Sequence, residues 1–503
     1  MSFDSLSFLS FPRLRLERPT VAIVGGGASG VLTAVHLLRR RSPVRIVLVE
    51  GRPRLGRGVA YGTTCAAHLL NVPAAGMSAF PAEPDHFLHW AQSRRPEAHG
   101  GSFLPRRLYG EYLEWCLAEE IAAARRRTPF TAMQGRVTGL VSGPGGAALR
   151  LAGGETLWAS QVVLAMGNSL APAHAQSASA PLGPIRDAWQ PDAIADQPPG
   201  RPVVLIGTGL TAVDVMLSLE EAGFDGRIHA VSRRGLFPQP HLPAASPAAA
   251  PLPVPPLPGS SRPGVPGAGA TPERARELVA ALRAEVRLAV ALGGDWRSVV
   301  DGLRPRTQAL WAALPEAERA RLHRHALRYW EVHRHRMAPE VAERIERLRR
   351  SGRLRVTAGH VLSVTATSGG AAVTVRPRGA RAAGTASSDA TELTLQGGVV
   401  IRCTGPREHL GSVADPLLDA LFAGGDARPG PLGLGLAVDE HGRLLDRAGD
   451  PSDTLWALGP LRRGALLETT AIPEIREQAA ALARILPEAA MAIEVGYALE
   501  EAL

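Results

Sequence analysis

Three features of this chain predict an α/β fold of two Rossmann-like dinucleotide-binding domains, the second inserted into a discontinuous first. Two are glycine turns that run from an apolar strand into a helix. Gly25-x-Gly27-x-x-Gly30 follows Val21-Ala22-Ile23-Val24, and Gly207-x-Gly209-x-x-Ala212 follows Val203-Val204-Leu205-Ile206. The third is a repeated ending in which a buried-looking strand closes on glycine. It occurs at Val162-Val163-Leu164-Ala165-Met166-Gly167 and again at Val399-Val400-Ile401-Arg402-Cys403-Thr404-Gly405. Taken singly, such an ending is either the closing strand of a nucleotide domain or an ordinary strand-end turn.

Each glycine turn supplies what a pyrophosphate needs. Small residues let the backbone approach, and the following helix offers unpaired N–H groups and a positive dipole end. In the first unit the strand 44–49 ends at Glu50, twenty residues after Gly30, where a carboxylate accepts from the adenosine ribose hydroxyls. The second unit ends its strand Ile228-His229-Ala230-Val231 with Ser232-Arg233-Arg234-Gly235 and has no acid there. Arginine at that place pairs a 2′-phosphate and stacks on adenine, which favours NADPH; as a solvated basic turn the same residues accept NADH equally well. Two unequal dinucleotide sites imply FAD and a nicotinamide nucleotide, with a hydride passing between them.

Composition narrows the chemistry. The 503 residues are 45% hydrophobic, enough for two or three domains with large cores. No apolar run approaches the roughly 18 residues of a membrane span, and the first twenty residues do not read as a signal peptide, so the expectation is a cytoplasmic protein without a membrane partner. The net charge is +9, yet the arginines are scattered apart from Arg125-Arg126-Arg127, a weak pattern for nucleic acid. The chain contains no lysine, which removes Schiff-base and P-loop chemistry. Cys65, Cys116 and Cys403 form no C-x-x-C, so neither a redox disulfide nor a cysteine metal site is expected. Without a cysteine pair to receive them, electrons are directed toward oxygen or another acceptor.

The expected layout is an extension over 1–19, a first domain of 20–199 with 354–503, and a second of 200–353. The second holds a Pro/Ala-rich loop, 238–271, and a helical insertion, 272–351, with helices at 272–292, 307–314, 316–337 and 339–351. Earlier, 111–121 has helical spacing, and Pro473 marks the start of a last helix.

Several segments together resemble a bacterial FAD/NAD(P)-binding family that includes an FAD-dependent urate hydroxylase and an aspartate N-monooxygenase. They are Gly25-Gly26-Gly27-Ala28-Ser29-Gly30, Gly56-Arg57-Gly58-Val59-Ala60-Tyr61-Gly62-Thr63, Leu70-Asn71-Val72-Pro73-Ala74 with Met77-Ser78, and Arg107-x-x-Gly110-x-Tyr112. The resemblance continues through Gly207-Thr208-Gly209-Leu210-Thr211-Ala212-x-Asp214, Ser232-Arg233-Arg234-Gly235, Trp330-x-x-His333-Arg334-His335-Arg336, Cys403-Thr404-Gly405-Pro406 and Glu468-Thr469-Thr470-Ala471-x-Pro473-Glu474. It covers most of the chain outside the Pro-rich loop and the termini.

The resemblance implies an FAD site of Gly25, Gly27, Gly30, Glu50 and Arg107, with Tyr61 to Met77 near the isoalloxazine ring, and an NAD(P)H site of Gly207, Gly209, Thr211, Arg233 and Arg234. Asn71 either hydrogen-bonds a flavin edge or caps a turn. The helix opening after Ala471 presents its N-terminus to negative charge on a reduced flavin. The mechanism implied is reduction of FAD by NADH or NADPH, then insertion of one atom of O2 into a small-molecule substrate, with no metal and no side-chain nucleophile.

For an anionic substrate such as urate the candidate site is His333 with Arg336, three apart on one face of an intact helix; the alternative is cations favoured by the dipole in a last helical turn. Arg304 either joins that cleft or is a surface arginine before a proline turn. The leading expectation is a urate hydroxylase forming 5-hydroxyisourate in purine catabolism. The alternatives are N-hydroxylation of an amino acid such as aspartate, and a flavin electron-transfer or sensor protein.

Overall fold

The computed structural model describes residues 18–168, 184–190, 192–197, 200–243, 274–378, 392–405, 410 and 415–502. Most of the N-terminal extension, most of the Pro/Ala-rich loop and Pro406 lie outside them.

The first sheet has the order β15-β16-β7-β1-β2-β3. Its strands are β1 (Thr20–Val24), β2 (Arg45–Glu50), β3 (Phe130–Gln134), β7 (Gln161–Leu164), β15 (Arg443–Leu445) and β16 (Pro451–Ala457). All neighbours run parallel except β15 with β16. Alternate residues of β1 and β2 enter two different cores, which is why both strands read as unbroken apolar runs. Val21, Ile23, Ile46 and Leu48 face α1 (Ala28–Arg39), α4 (Arg106–Ala124) and α13 (Ile472–Ala502). Ala22, Val24, Val47 and Val49 face a three-stranded antiparallel sheet and α12 (Pro416–Gly424). That small sheet is β4 (Val137–Gly143), β5 (Gly146–Leu151) and β6 (Thr156–Ala159). Two short helices, α2 (Gly58–Tyr61) and α3 (His86–Gln92), lie in the connection from β2 to α4.

The second sheet has the order β13-β12-β11-β10-β9-β14-β8. Its strands are β8 (Ile185–Asp187), β9 (Val203–Ile206), β10 (Ile228–Ser232), β11 (Leu354–Thr367), β12 (Gly370–Pro377), β13 (Leu393–Gly397) and β14 (Val399–Arg402). Val203 and Leu205 pack on α5 (Leu210–Glu221) and α11 (Pro339–Arg350), and Val204 packs under β12 on the other face. Here the layout departs from expectation: β8 and β11 to β14 belong to the second sheet, because β11 pairs β10 in parallel register and β14 pairs β9 and β8. The chain rejoins the first sheet only with β15 and β16.

Between β10 and β11 stands the helical insertion, α6 (Ala275–Ala291), α7 (Trp296–Gly302), α8 (Thr307–Ala313), α9 (Glu316–His325) and α10 (Leu327–Arg334), followed by α11. The expected continuous helix 316–337 is broken at Ala326 (φ −115°) and ends at Arg334. Among the described residues no helix is long and apolar enough to cross a membrane.

Candidate active site between two dinucleotide turns

In the first turn, the Gly25 N–H donates to Val49 O at 2.9 Å and Ala165 N–H donates to Val24 O at 2.8 Å, so the turn sits where β1 meets β2 on one side and β7 on the other. Gly25 has φ +105°, and a Cβ there would fall 2.6 Å from Ala165 O. A Cβ on Gly30 would fall 1.9 Å from Gly25 O, so helix α1 reaches the strand only because position 30 is bare. Gly27 caps α1 in extended backbone with no side-chain cap, and a Cβ there would meet only Gly58 Cα, 3.7 Å away. Gly56 N–H donates to Gly26 O at 2.8 Å and locks this second G-x-G against the first. Open space at Gly27 beside free helix N–H groups fits a pyrophosphate. Glu50 accepts from Gly26 N–H (2.6 Å) and Arg52 N–H (2.9 Å), one bond per oxygen, which leaves lone pairs for two ribose hydroxyls. These residues fit the FAD the sequence implies.

The second turn repeats the backbone plan. Gly207 N–H donates to Val231 O at 2.7 Å, Cys403 N–H donates to Ile206 O at 2.8 Å, and a Cβ on Gly207 (φ +121°) would fall 2.4 Å from Cys403 O. Gly209 caps α5 as Gly27 caps α1, again without a side-chain cap. Two of the differences bear on the ligand. Buried Ala212 stands where the first unit has Gly30, and Ser232 stands where it has Glu50. The Ser232 hydroxyl lies 2.8 Å from that of Thr208 and accepts from Gly235 N–H at 3.0 Å, so it is spent on shaping the turn. Arg233 is exposed and Thr211 half-buried. Arg234 is turned away: it donates to His325 O at 3.0 Å and lies over the Tyr329 ring.

The segment 61–77 touches both units. Tyr61 packs against Tyr109 at 4.8 Å between ring centres, and burial pushes its hydroxyl pKa up. Farther along, His68 Nε2 lies 2.9 Å from the carbonyl oxygen of Asp214 and 2.9 Å from the Ser218 hydroxyl, both on α5. Arg106, at the start of α4, donates to the Asp214 carboxylate at 2.5 Å. Burial lowers the His68 pKa, but Cys65 and Asp214 outweigh it and hold the imidazole above its usual value. Asn71 contacts the second unit through its main-chain oxygen, which accepts from His241 Nε2 at 3.1 Å. Met77, at 2% exposure, belongs to the same buried core cluster as Phe80. Arg107 is exposed, and its side chain makes no hydrogen bond or ion pair among the described residues.

The expected pair is arranged otherwise than helical spacing implied. Because α10 ends at Arg334, His333 and Arg336 do not share a helical face, yet both pack on Trp296, His333 at right angles with 4.7 Å between ring centres and Arg336 with its guanidinium 5.8 Å from the ring centre. Arg336, 4% exposed, is also bound to Asp301. Arg304 points to the first unit, 2.7 Å from Glu474 in the opening turn of α13. Half-buried Ala471 immediately precedes that helix. Arg334, buried like Arg336, lies 3.0 Å from Glu468 and 3.5 Å from Glu474. Burial raises the Glu468 pKa even against Arg334. His335 is held neutral down to about 3, first by burial and then by Arg334, Arg463, Arg304 and Arg328. Gln308 and Trp311 of α8 add bonds to the main chain of 464–468, so the insertion is stitched to the segment that opens α13. Sequence reasoning quoted Glu468, Glu474 and Arg334 within two motifs but gave them no role; the signal available was their opposite charge.

Fold and turns together define a protein with two dinucleotide sites joined across a polar seam. Residues 22–169 match the model of a family described as FAD-NAD(P)-binding. Solved structures extend the likeness over nearly the whole chain. The Kutzneria sp. 744 ornithine N-hydroxylase superposes with a TM-score of 0.61 at 14% identity, covering 94% of this chain and 99% of that one. The ornithine hydroxylase of Pseudomonas aeruginosa gives 0.59 at 16%, with the same coverage. The cadaverine monooxygenase of Erwinia amylovora, solved with FAD, gives 0.59 at 12%, covering 93% and 94%. At these identities the likeness is one of fold.

Proposed function

We propose that this chain is an FAD-dependent monooxygenase that uses NAD(P)H and O2 to hydroxylate an amine nitrogen of a small molecule. The observation that carries the reading is the pair of unequal turns. The first has the ribose carboxylate and a second G-x-G closing over it, suited to a resident dinucleotide; the second lacks the acid, suited to one that comes and goes. The segment 61–77 bridges them, which supports hydride transfer over a short distance. When bound, FAD takes the hydride and activates oxygen. The protein's residues position the two nucleotides, keep water from the seam and orient the acceptor.

Amine rather than urate is favoured because the arginines expected to receive an anion are already neutralised, Arg336 by Asp301 and Arg304 by Glu474. The proteins of similar fold include an ornithine N-hydroxylase and a cadaverine monooxygenase, which weighs the same way.

The test is to purify the flavin-loaded protein and follow NADPH and NADH oxidation with ornithine, lysine, cadaverine, aspartate and urate, weighing products by mass spectrometry. A hydroxylamine from an amine confirms the reading. A product from urate alone, or hydrogen peroxide with every compound, overturns it.

A further inference from the structure

The second turn is approached by a side chain from outside its own domain sheet. A Cβ built on Gly209 would have two non-neighbouring atoms within 4 Å, the terminal nitrogens of Arg328, each at 3.9 Å. Arg328 belongs to α10, in the helical insertion, 119 positions later in the chain. Its guanidinium is fixed in place: one terminal nitrogen donates to Leu236 O at 3.1 Å, and the same carbonyl accepts from the Thr208 hydroxyl at 2.6 Å. Arg328 and the glycine turn thus share one anchor. The neighbouring Arg234–His325 and Arg234–Tyr329 contacts tie the end of α9 and the start of α10 to the strand end beside the turn.

The charge around this guanidinium is unbalanced in a telling way. It faces the N-terminus of α5, which has no side-chain cap and carries the positive end of the helix dipole. Its nearest carboxylate, Glu331, stands at 3.6 Å and is also approached by Arg463 at 3.3 Å. A guanidinium has five N–H donors in a planar fork, and the Leu236 carbonyl takes one. A cation held beside a bare helix N-terminus is unfavourable alone and favourable with an anion between them.

We propose that Arg328 is a pyrophosphate-binding residue of the second dinucleotide site, so that the helical insertion completes that site. The inference rests on the second turn being the nicotinamide dinucleotide site. It divides the labour among the arginines: Arg328 grips the diphosphate common to NAD and NADP, while exposed Arg233 is left for the 2′-phosphate found only in NADP.

The test is calorimetric titration of the FAD-loaded protein with NADP+, NAD+, ADP-ribose and adenosine 2′-monophosphate. Arg328→Gln weakens NADP+, NAD+ and ADP-ribose alike, by about tenfold or more, and leaves adenosine 2′-monophosphate unchanged. Arg233→Gln does the converse, weakening NADP+ and adenosine 2′-monophosphate while sparing NAD+. Unchanged affinity of Arg328→Gln for ADP-ribose, or a loss confined to NADP+, overturns the assignment. Failure of the wild-type protein to bind any of the four instead overturns the nicotinamide reading of the turn. Retained flavin and an unshifted melting curve establish that Arg328→Gln folds. If it does not, Arg328→Lys, which keeps the charge and loses the fork, must still weaken ADP-ribose for the assignment to stand.

Discussion

The two glycine turns share a backbone and part company most clearly at two side chains. Each begins with a positive-φ glycine pressed on the carbonyl of a returning strand, Ala165 for one and Cys403 for the other, and each ends in an uncapped helix. The first then demands Gly30, while the second accepts Ala212, and the first ends β2 on Glu50 where the second ends β10 on Ser232. The difference teaches that the strand-turn-helix frame is set by steric contacts common to both, whereas occupancy and nucleotide preference are written in the residues around it.

The largest effect asks how far the two units depend on one another. Glu468→Ala leaves Arg334 buried with only the longer Glu474 contact; loss of one partner of a buried pair costs about 3–5 kcal/mol. Urea unfolding with and without bound nucleotide measures it, and a change below about 1 kcal/mol would show that the seam does not hold the units together.

Next, Gly30→Ala forces a Cβ into the Gly25 carbonyl, at a cost of about 1–3 kcal/mol typical of overpacking, and the purified protein loses most of its visible flavin absorbance. The matching change Ala212→Gly costs about 1 kcal/mol or less and spares FAD. Equal effects of the two would erase the distinction drawn between the turns.

A smaller change, Ser232→Glu, places the first unit's acid in the second. Repulsion of a 2′-phosphate shifts the NADPH to NADH ratio of KM by about tenfold toward NADH, read from steady-state oxidation rates. An unaltered ratio would separate Ser232 from the ribose position.

The mildest is a pH dependence. Burial, ahead of nearby arginines, lowers the pKa of His335 to about 3 and that of His241 to about 4. Burial also takes His36 to about 4. The unfolded chain binds these protons near 6.5, the folded chain only below 4, so unfolding takes up protons in between and stability falls as pH drops from 6.5 to 4. His335→Gln flattens that slope in melting curves taken across the range; a melting temperature independent of pH there would contradict it.

Both turns, Glu50 and the strand endings were legible because each follows from local rules: apolar runs mark doubly covered parallel strands, and glycine marks a forced close approach. The boundary at 354 was not, because β11 to β14 have the composition of strands of either sheet, and only register assigns them. The helix through 316–337 read as continuous because Ala326, at its break, is a good helix former. His333 and Arg336 were chosen by helical spacing, which failed when α10 stopped at Arg334. Arg334 itself and its partners Glu468 and Glu474 lie 134 and 140 positions apart in the chain, a pairing that no local pattern encodes.

Asp214 belongs to the helix that follows the second turn, yet its carbonyl receives His68 and its carboxylate receives Arg106, both from the first unit. Any coupling free energy between the ligands of the two units therefore has this residue in its path. By reciprocity, whatever factor FAD imposes on NADP+ affinity, NADP+ imposes equally on FAD. A double-mutant cycle through Asp214 would weigh how much of that exchange passes through a single side chain.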